Sequence, residues 1–365
     1  MTRIASRAAL TAFASLAAVL LVATVLGLAT LPQQAVAAQQ EGEVMAAGEI
    51  TLAAQEITNG DWRYVAQKGN TAKLVQYIGK SSTVTVPSKI GGRTVTAIGA
   101  DAFYGYYYDD EGNEHSTGKV KSVWIPKTVK AIGEKESVDD VSDTGVVIKY
   151  KARSYQLGSE YLQSVSVSAK NPYFKSVGGV LFNKKGTKLL LYPNAKKGTS
   201  YTIPSKVKVI ASRAFQSARV KKVVVSSSVR KIEPRAFSYG ALQTVVFKPG
   251  IVNIGNYAFY CAEMLKSVSF PKSLRTIGKA AFAYTSCTSA KKAIVFNDGL
   301  TSIGEQAFYW PMDLKKHTVV IPKTVKKIGG GAFTEQLSVF KVPKETKLLA
   351  TNGNPAIEAK EIVRY

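Results

Sequence analysis

The chain has 365 residues, 45% of them hydrophobic and 20% charged, with 49 lysines and arginines against 25 acids and a formal charge of +24. That is enough length and apolar content to bury a substantial core, which excludes a wholly disordered polymer, and two cysteines are too few to staple a fold of this size. The basic excess asks for an acidic partner or surface.

Residues 1–37 read as an export signal. Arg3 and Arg7 precede an uncharged apolar stretch from Ala8 to Leu31, followed by Pro32 and the small-residue triplet Ala35-Val36-Ala37. Cleavage after Ala37 removes two arginines and no acid, so the charge falls only from +24 to +22 and belongs to the folded part. A run this long would also serve as an uncleaved anchor, which is the alternative. Residues 38–57 read as a linker and the fold is expected to start near 58.

From there one motif recurs, I-G-x-x-A-F. It is intact at Ile98-Gly99…Ala102-Phe103, Ile254-Gly255…Ala258-Phe259, Ile277-Gly278…Ala281-Phe282, Ile303-Gly304…Ala307-Phe308 and Ile328-Gly329…Ala332-Phe333. Ile210…Ala214-Phe215 and Ile232…Ala236-Phe237 lose only the glycine, while Ile132-Gly133 has lost the Ala-Phe half. The phenylalanines from 215 to 333 are separated by 22, 22, 23, 26 and 25 residues, a period that signals stacked repeats. Between motifs lie short alternating runs such as Val123-Trp124-Ile125-Pro126, Tyr201-Thr202-Ile203-Pro204, Val245-Val246-Phe247 and Val268-Ser269-Phe270-Pro271. Alternation in β-branched and aromatic residues, stopped by proline, predicts a strand with one buried face. No such coil can bury that face alone, so stacking must supply the core. The expected architecture is a β-rich, right-handed solenoid of short parallel strands, about 22–26 residues per coil, over 58–343. The motif decays at 104–119, read as a protruding loop, and at 134–161, read as a poorly formed coil; residues 344–365 read as a C-terminal cap or tail.

These repeats, together with Asn171-Pro172-Tyr173-Phe174, Gly179-Val180-Leu181-Phe182 and Leu191-Tyr192-Pro193, resemble the BspA-like leucine-rich-repeat family of bacterial surface proteins. The segment from Trp62-Arg63-Tyr64 to Gly91-Gly92-Arg93-Thr94-Val95 is similar to the way such arrays begin. The resemblance implies a secreted or surface-displayed adhesion and recognition module that binds host or microbial surface protein or glycan.

Catalytic chemistry is not expected. His115 and His317 are too few and too far apart in sequence for a metal site. Gly79-Lys80-Ser81 lacks the preceding glycine of a phosphate loop, since Leu74 stands there, and the acids of 109–114 lack the spacing of a calcium loop. The expectation is therefore a protein without metal or cofactor and no enzyme, with a hydrolase as a distant alternative. It would be monomeric, with no membrane span once the signal is removed and no nucleic-acid partner.

Three surface features remain. Cys261 and Cys287 are expected to occupy the same place on adjacent coils, near enough for a disulfide, with two buried thiols as the alternative. The outward strand positions include Trp124, Val224, Val246, Val295 and Val320, apolar side chains facing either a partner or solvent. Two positions before the motif isoleucine stand Lys130, Lys208, Arg230, Arg275 and Lys326, which stacking would turn into a basic ladder. Such a ladder suggests a second role, a non-catalytic envelope protein held by charge to anionic cell-wall polymers. A merely solvated face is the plain alternative.

Overall fold

The computed structural model describes residues 55–365 apart from 109–112, 142–146, 267, 287–295, 310–317, 338, 352 and 360. The expected export signal and most of the expected linker lie outside them. The regular elements among the described residues are β-strands, many of them only two to four residues long, wound into a solenoid of about 11 turns.

Each coil has three sides. On the first, the alternating runs pair in parallel: Ser200–Thr202 with Lys222–Val225 and that with Thr244–Phe247, Thr83–Thr85 with Ser122–Ile125 and that with Ser164–Val167, and Thr318–Val320 with Val339–Val342 and that with Ile362–Arg364. Their inward residues, such as Val223, Val225, Val245 and Phe247, are buried. On the second side the I-G motifs give two-residue strands, from Val209–Ile210 through Lys231–Ile232, Asn253–Ile254, Thr276–Ile277, Ser302–Ile303 and Lys327–Ile328 to Lys347–Leu348. The register sets isoleucine on isoleucine, so the ten-stranded sheet buries one continuous apolar row.

The third side carries Ala-Phe. The amide of each phenylalanine donates to the alanine carbonyl of the next coil, from Phe215 to Ala236 (2.7 Å) through Phe308 to Ala332 (2.8 Å). On the second side the amides point the other way: Gly255 donates to Ile232, Gly278 to Ile254 and Gly304 to Ile277. This regular spacing stacks the rings. Tyr192, Phe215, Phe237, Phe259, Phe282, Phe308 and Phe333 form one buried column with successive centroids 4.7–5.4 Å apart and planes within 18° of parallel. Close-packed rings of this kind contribute beyond their buried area.

The sharp bends are made by left-handed residues on either side of Ala-Phe. Arg213, Arg235, Tyr257, Ala280 and Gln306 precede the alanine with φ of 48–58°, and Ser217, Tyr239, Cys261 and Tyr284 follow two after the phenylalanine with φ of 52–58°. Only the last intact copy uses glycine at the first bend, Gly331 at φ 61°, so the bend left little trace in the sequence even though a non-glycine residue is disfavoured there. The motif glycine answers a different need. A β-carbon at Gly304 would lie 2.5 Å from the Gly278 carbonyl carbon and from the Lys279 nitrogen of the preceding coil. In the coil where Glu233 replaces glycine, its carboxylate accepts from the Ser212 amide (3.0 Å) and pairs with Lys188 (2.7 Å).

The longer insert is anchored by a buried side chain. The Asn171 amide donates to the carbonyls of Pro126 and Val129, and its oxygen accepts from the amides of Tyr173 and Phe174. The strands Phe174–Val177, Val180–Asn183 and Lys188–Leu191 then meander into the ten-stranded sheet.

The two stretches expected to be irregular contain antiparallel pairs. The loop at 104–119 contains a short antiparallel pair, Tyr106–Tyr108 with Glu114–Ser116. The poorly formed coil at 134–161 is instead an antiparallel ribbon, Glu134–Val141 with Val147–Ser154. In each stretch the repeat motif no longer ties the chain to the stack, and its two arms pair with each other instead.

Candidate binding surfaces

The basic positions lie on the corner between the first and second sides, where each coil leaves its proline-stopped strand and enters the I-G strand. The backbone there is one ladder: Arg230 donates to Lys208 (2.8 Å), Val252 to Arg230 (2.9 Å), Arg275 to Val252 (2.8 Å), Thr301 to Arg275 (2.8 Å) and Lys326 to Thr301 (2.9 Å). The side chains of Lys208, Arg230, Arg275 and Lys326 are exposed along it. Lys347, which the motif search missed because no Ala-Phe follows it, donates to Lys326 (2.9 Å) and extends the row. Lysines 206, 272, 323 and 344 are exposed in the adjoining turns, with Asp298 as an acid among them.

Two members depart from the expectation. Lys130 donates to Thr96 and belongs to a different sheet, because the ribbon of 134–154 and the insert of 171–191 interrupt the succession of coils. The arginines are not simply solvated. Arg230 Nη1 donates to the carbonyls of Ser227 (2.6 Å) and Gly250 (3.1 Å), and Arg275 Nη1 to that of Lys272 (2.8 Å). Each guanidinium therefore holds its own turn closed, and Arg230 also ties one coil to the next. The lysines carry the row's more mobile charge.

The outward strand residues stand in register as the alternation requires. Thr85, Trp124 and Ser166 face each other across one sheet, Thr202, Val224 and Val246 across a second, and Val320 and Lys341 across a third. Trp124 (41% exposed) and Val320 (49%) meet solvent, whereas Val224 and Val246 are half-buried. Val295 lies outside the described residues, as does Cys287. Cys261 is a half-buried free thiol, and burial raises its pKa against a lowering hydrogen bond from Tyr260.

A third surface escaped the sequence reading. Tyr239, Tyr260, Tyr284 and Tyr309 follow the phenylalanines of four successive coils and form one row, with centroids 5.6, 5.4 and 5.7 Å apart and ring planes 74°, 82° and 70° to one another. Its signal was an aromatic one or two places after every Ala-Phe from Phe237 to Phe308. Tyr257 packs against Tyr260 at 5.6 Å, and the Arg235 guanidinium sits 4.8 Å from the Tyr257 centroid.

Among solved structures, a leucine-rich repeat protein from Bacteroides ovatus is 15% identical with a TM-score of 0.48, the match covering 85% of this chain and 76% of that one. One from Eubacterium ventriosum is 16% identical at a TM-score of 0.39, covering 82% and 93%. The pneumococcal vaccine antigen PcpA is 17% identical at a TM-score of 0.36, covering 82% and 89%. No curated protein matches the chain. The family model for the BspA type leucine rich repeat region matches in six copies, over residues 191–309 and 283–352. These are the coils whose isoleucine, alanine and phenylalanine build the ladders and the ring column, and over residues 191–352 the array they form matches the BspA type leucine-rich-repeat family.

Proposed function

We propose that the protein is a non-catalytic surface recognition module whose basic corner binds an anionic polymer laid along the solenoid axis. The observation that carries this reading is the unbroken backbone ladder bearing Lys208, Arg230, Arg275, Lys326 and Lys347, all exposed on one corner. A polymer engages several of these charges at once, so weak contacts add through effective concentration. The family match and the export signal expected from the sequence of residues 1–37 support display outside the cell, against either a host surface or the producer's own wall.

The test is retention of the full chain on an immobilised linear polyanion over a range of salt. Reversing Lys208, Lys326 and Lys347 to glutamate spares the turn-holding arginines. It is expected to reduce the log–log salt slope of binding by about 2–3, roughly one per lost contact. Reversing Lys68, Lys89 and Lys121 changes the net charge equally and is expected to leave most of the slope. Equal loss in both variants would show that net charge, not the row, governs binding. A second reading, a protein partner on the strand face, rests on the exposure of Trp124 and Val320; binding there would survive high salt and be lost in Trp124→Ser.

A further inference from the structure

The tyrosine row has a two-coil rhythm that the basic row lacks. Tyr239 and Tyr284 stand two residues after their phenylalanines, both in the left-handed conformation, at φ 58° and 54°. Tyr260 and Tyr309 stand one residue after theirs. The backbone joins them in pairs, Tyr239 donating to the Tyr260 carbonyl (2.9 Å) and Tyr284 to that of Tyr309 (3.0 Å). Ring orientation therefore alternates from coil to coil, as the near-perpendicular planes record, and equivalent rings recur every second coil, about 10 Å along the axis at the usual strand spacing.

Among the described residues the row is also solvent-facing and nearly uncharged. Tyr239 is 50% exposed and the other three are half-buried. Burial, then the neighbouring Cys261, Tyr239 and Tyr284, pushes the Tyr260 hydroxyl up to about 12, so it remains a neutral donor and acceptor. Arg235 is engaged over Tyr257 at the side of the row, and Glu263 is the exposed acid beside it. A surface of this kind does not select a polyanion. Flat rings with hydroxyl tips suit a ligand with an apolar C–H face and equatorial hydroxyls, as a pyranose has.

We infer that the row Tyr239–Tyr260–Tyr284–Tyr309 is a binding track for a linear, uncharged β-1,4-linked polysaccharide running along the solenoid. In such a chain each pyranose is turned over relative to the last, so like faces recur every second sugar. The spacing of successive sugars is close to the 5.4–5.7 Å between successive rings. With one sugar per coil, like faces of every second sugar meet equivalent rings of every second coil, while the intervening ring, turned by 70–82°, offers its edge and hydroxyl to the intervening sugar. An α-1,4-linked chain curves away from a straight row and meets one or two rings only.

The inference rests on the reading of the chain as a binding module but not on the basic corner, and its test separates the two. The full chain is titrated with cellohexaose, fully N-acetylated chitohexaose and maltohexaose by calorimetry and tyrosine fluorescence. The two β-1,4 hexasaccharides are expected to bind, more tightly than their disaccharides and than maltohexaose, with little dependence on salt and unchanged by reversal of Lys208, Lys326 and Lys347. Tyr239→Leu with Tyr284→Leu, which keeps apolar volume but removes two equivalent rings, should weaken binding about tenfold or more. Circular dichroism and thermal melts show whether that variant is folded. If it is not, protection of the wild-type tyrosines from acrylamide quenching by chitohexaose decides in its place. The inference fails if neither β-1,4 hexasaccharide binds at millimolar concentration, if maltohexaose binds equally well, or if the folded leucine variant binds as wild type. None of these outcomes touches the polyanion experiment.

Discussion

Replacing Phe259 by alanine is expected to lower the free energy of unfolding by about 3–5 kcal/mol, a large share of the roughly 5–15 kcal/mol available to a folded domain. Phe259 is fully buried, lies 4.9 Å from Phe237 and Phe282 in near-parallel planes, and takes the edge of Phe247 at 6.2 Å. Its loss opens a cavity in the middle of the ring column, where each coil is supported only by its neighbours. Urea unfolding followed by circular dichroism measures the change. Val320→Thr, on an exposed strand position, should stay within about 0.5 kcal/mol of wild type. A loss below about 1 kcal/mol for Phe259→Ala would mean that the column is ornament on a fold held elsewhere.

The column was legible in the sequence because its cause is a period: Phe215, Phe237, Phe259, Phe282, Phe308 and Phe333 recur with isoleucine and alanine in fixed places. Most of the strands were legible for the same reason, since alternation before a turn favours a half-buried strand, but Val268-Ser269-Phe270 follows the pattern and forms no strand. The bends were not. Arg213, Tyr257 and Gln306 share a left-handed backbone but no chemistry, so only the tertiary ladder holds them there. The tyrosine row was missed because its members alternate between two positions after phenylalanine, and a search for one conserved column passes over a zigzag. The basic corner was found as a pattern, but the arginines' bonds to turn carbonyls depend on three-dimensional closure that no spacing rule contains. The ribbon of 134–154 was not legible because its first arm, Glu134–Val141, is mostly glutamate, lysine and aspartate, residues that carry no strand signal of their own.

The second large effect concerns the motif glycine. Gly304→Ala is expected to cost about 1–3 kcal/mol, and Gly304→Val more, because the added carbon would press on the Gly278–Lys279 backbone and force two coils apart. Ala211 occupies the same motif place in an earlier coil and is buried. Ala211→Gly should therefore cost only about 0.5–1 kcal/mol, through added freedom of the unfolded chain. Thermal melts of the pair measure the asymmetry. Equal costs would show that the glycine is there for backbone freedom, not for the close approach of the preceding coil.

The two opposed sets of amides, forward on the Ala-Phe side and backward on the I-G side, have a consequence for how such a molecule changes in length. On these two sides every coil between Phe215 and Phe333 presents the same donors and acceptors to both neighbours, so there the edges left by excising a whole coil, or made by duplicating one, are already complementary. Tandem gain or loss of coding units thus alters reach without redesigning the core. Each such event lengthens or shortens the basic corner and the tyrosine row by one step, which makes valency towards a polymer a quantity that selection can count out one coil at a time.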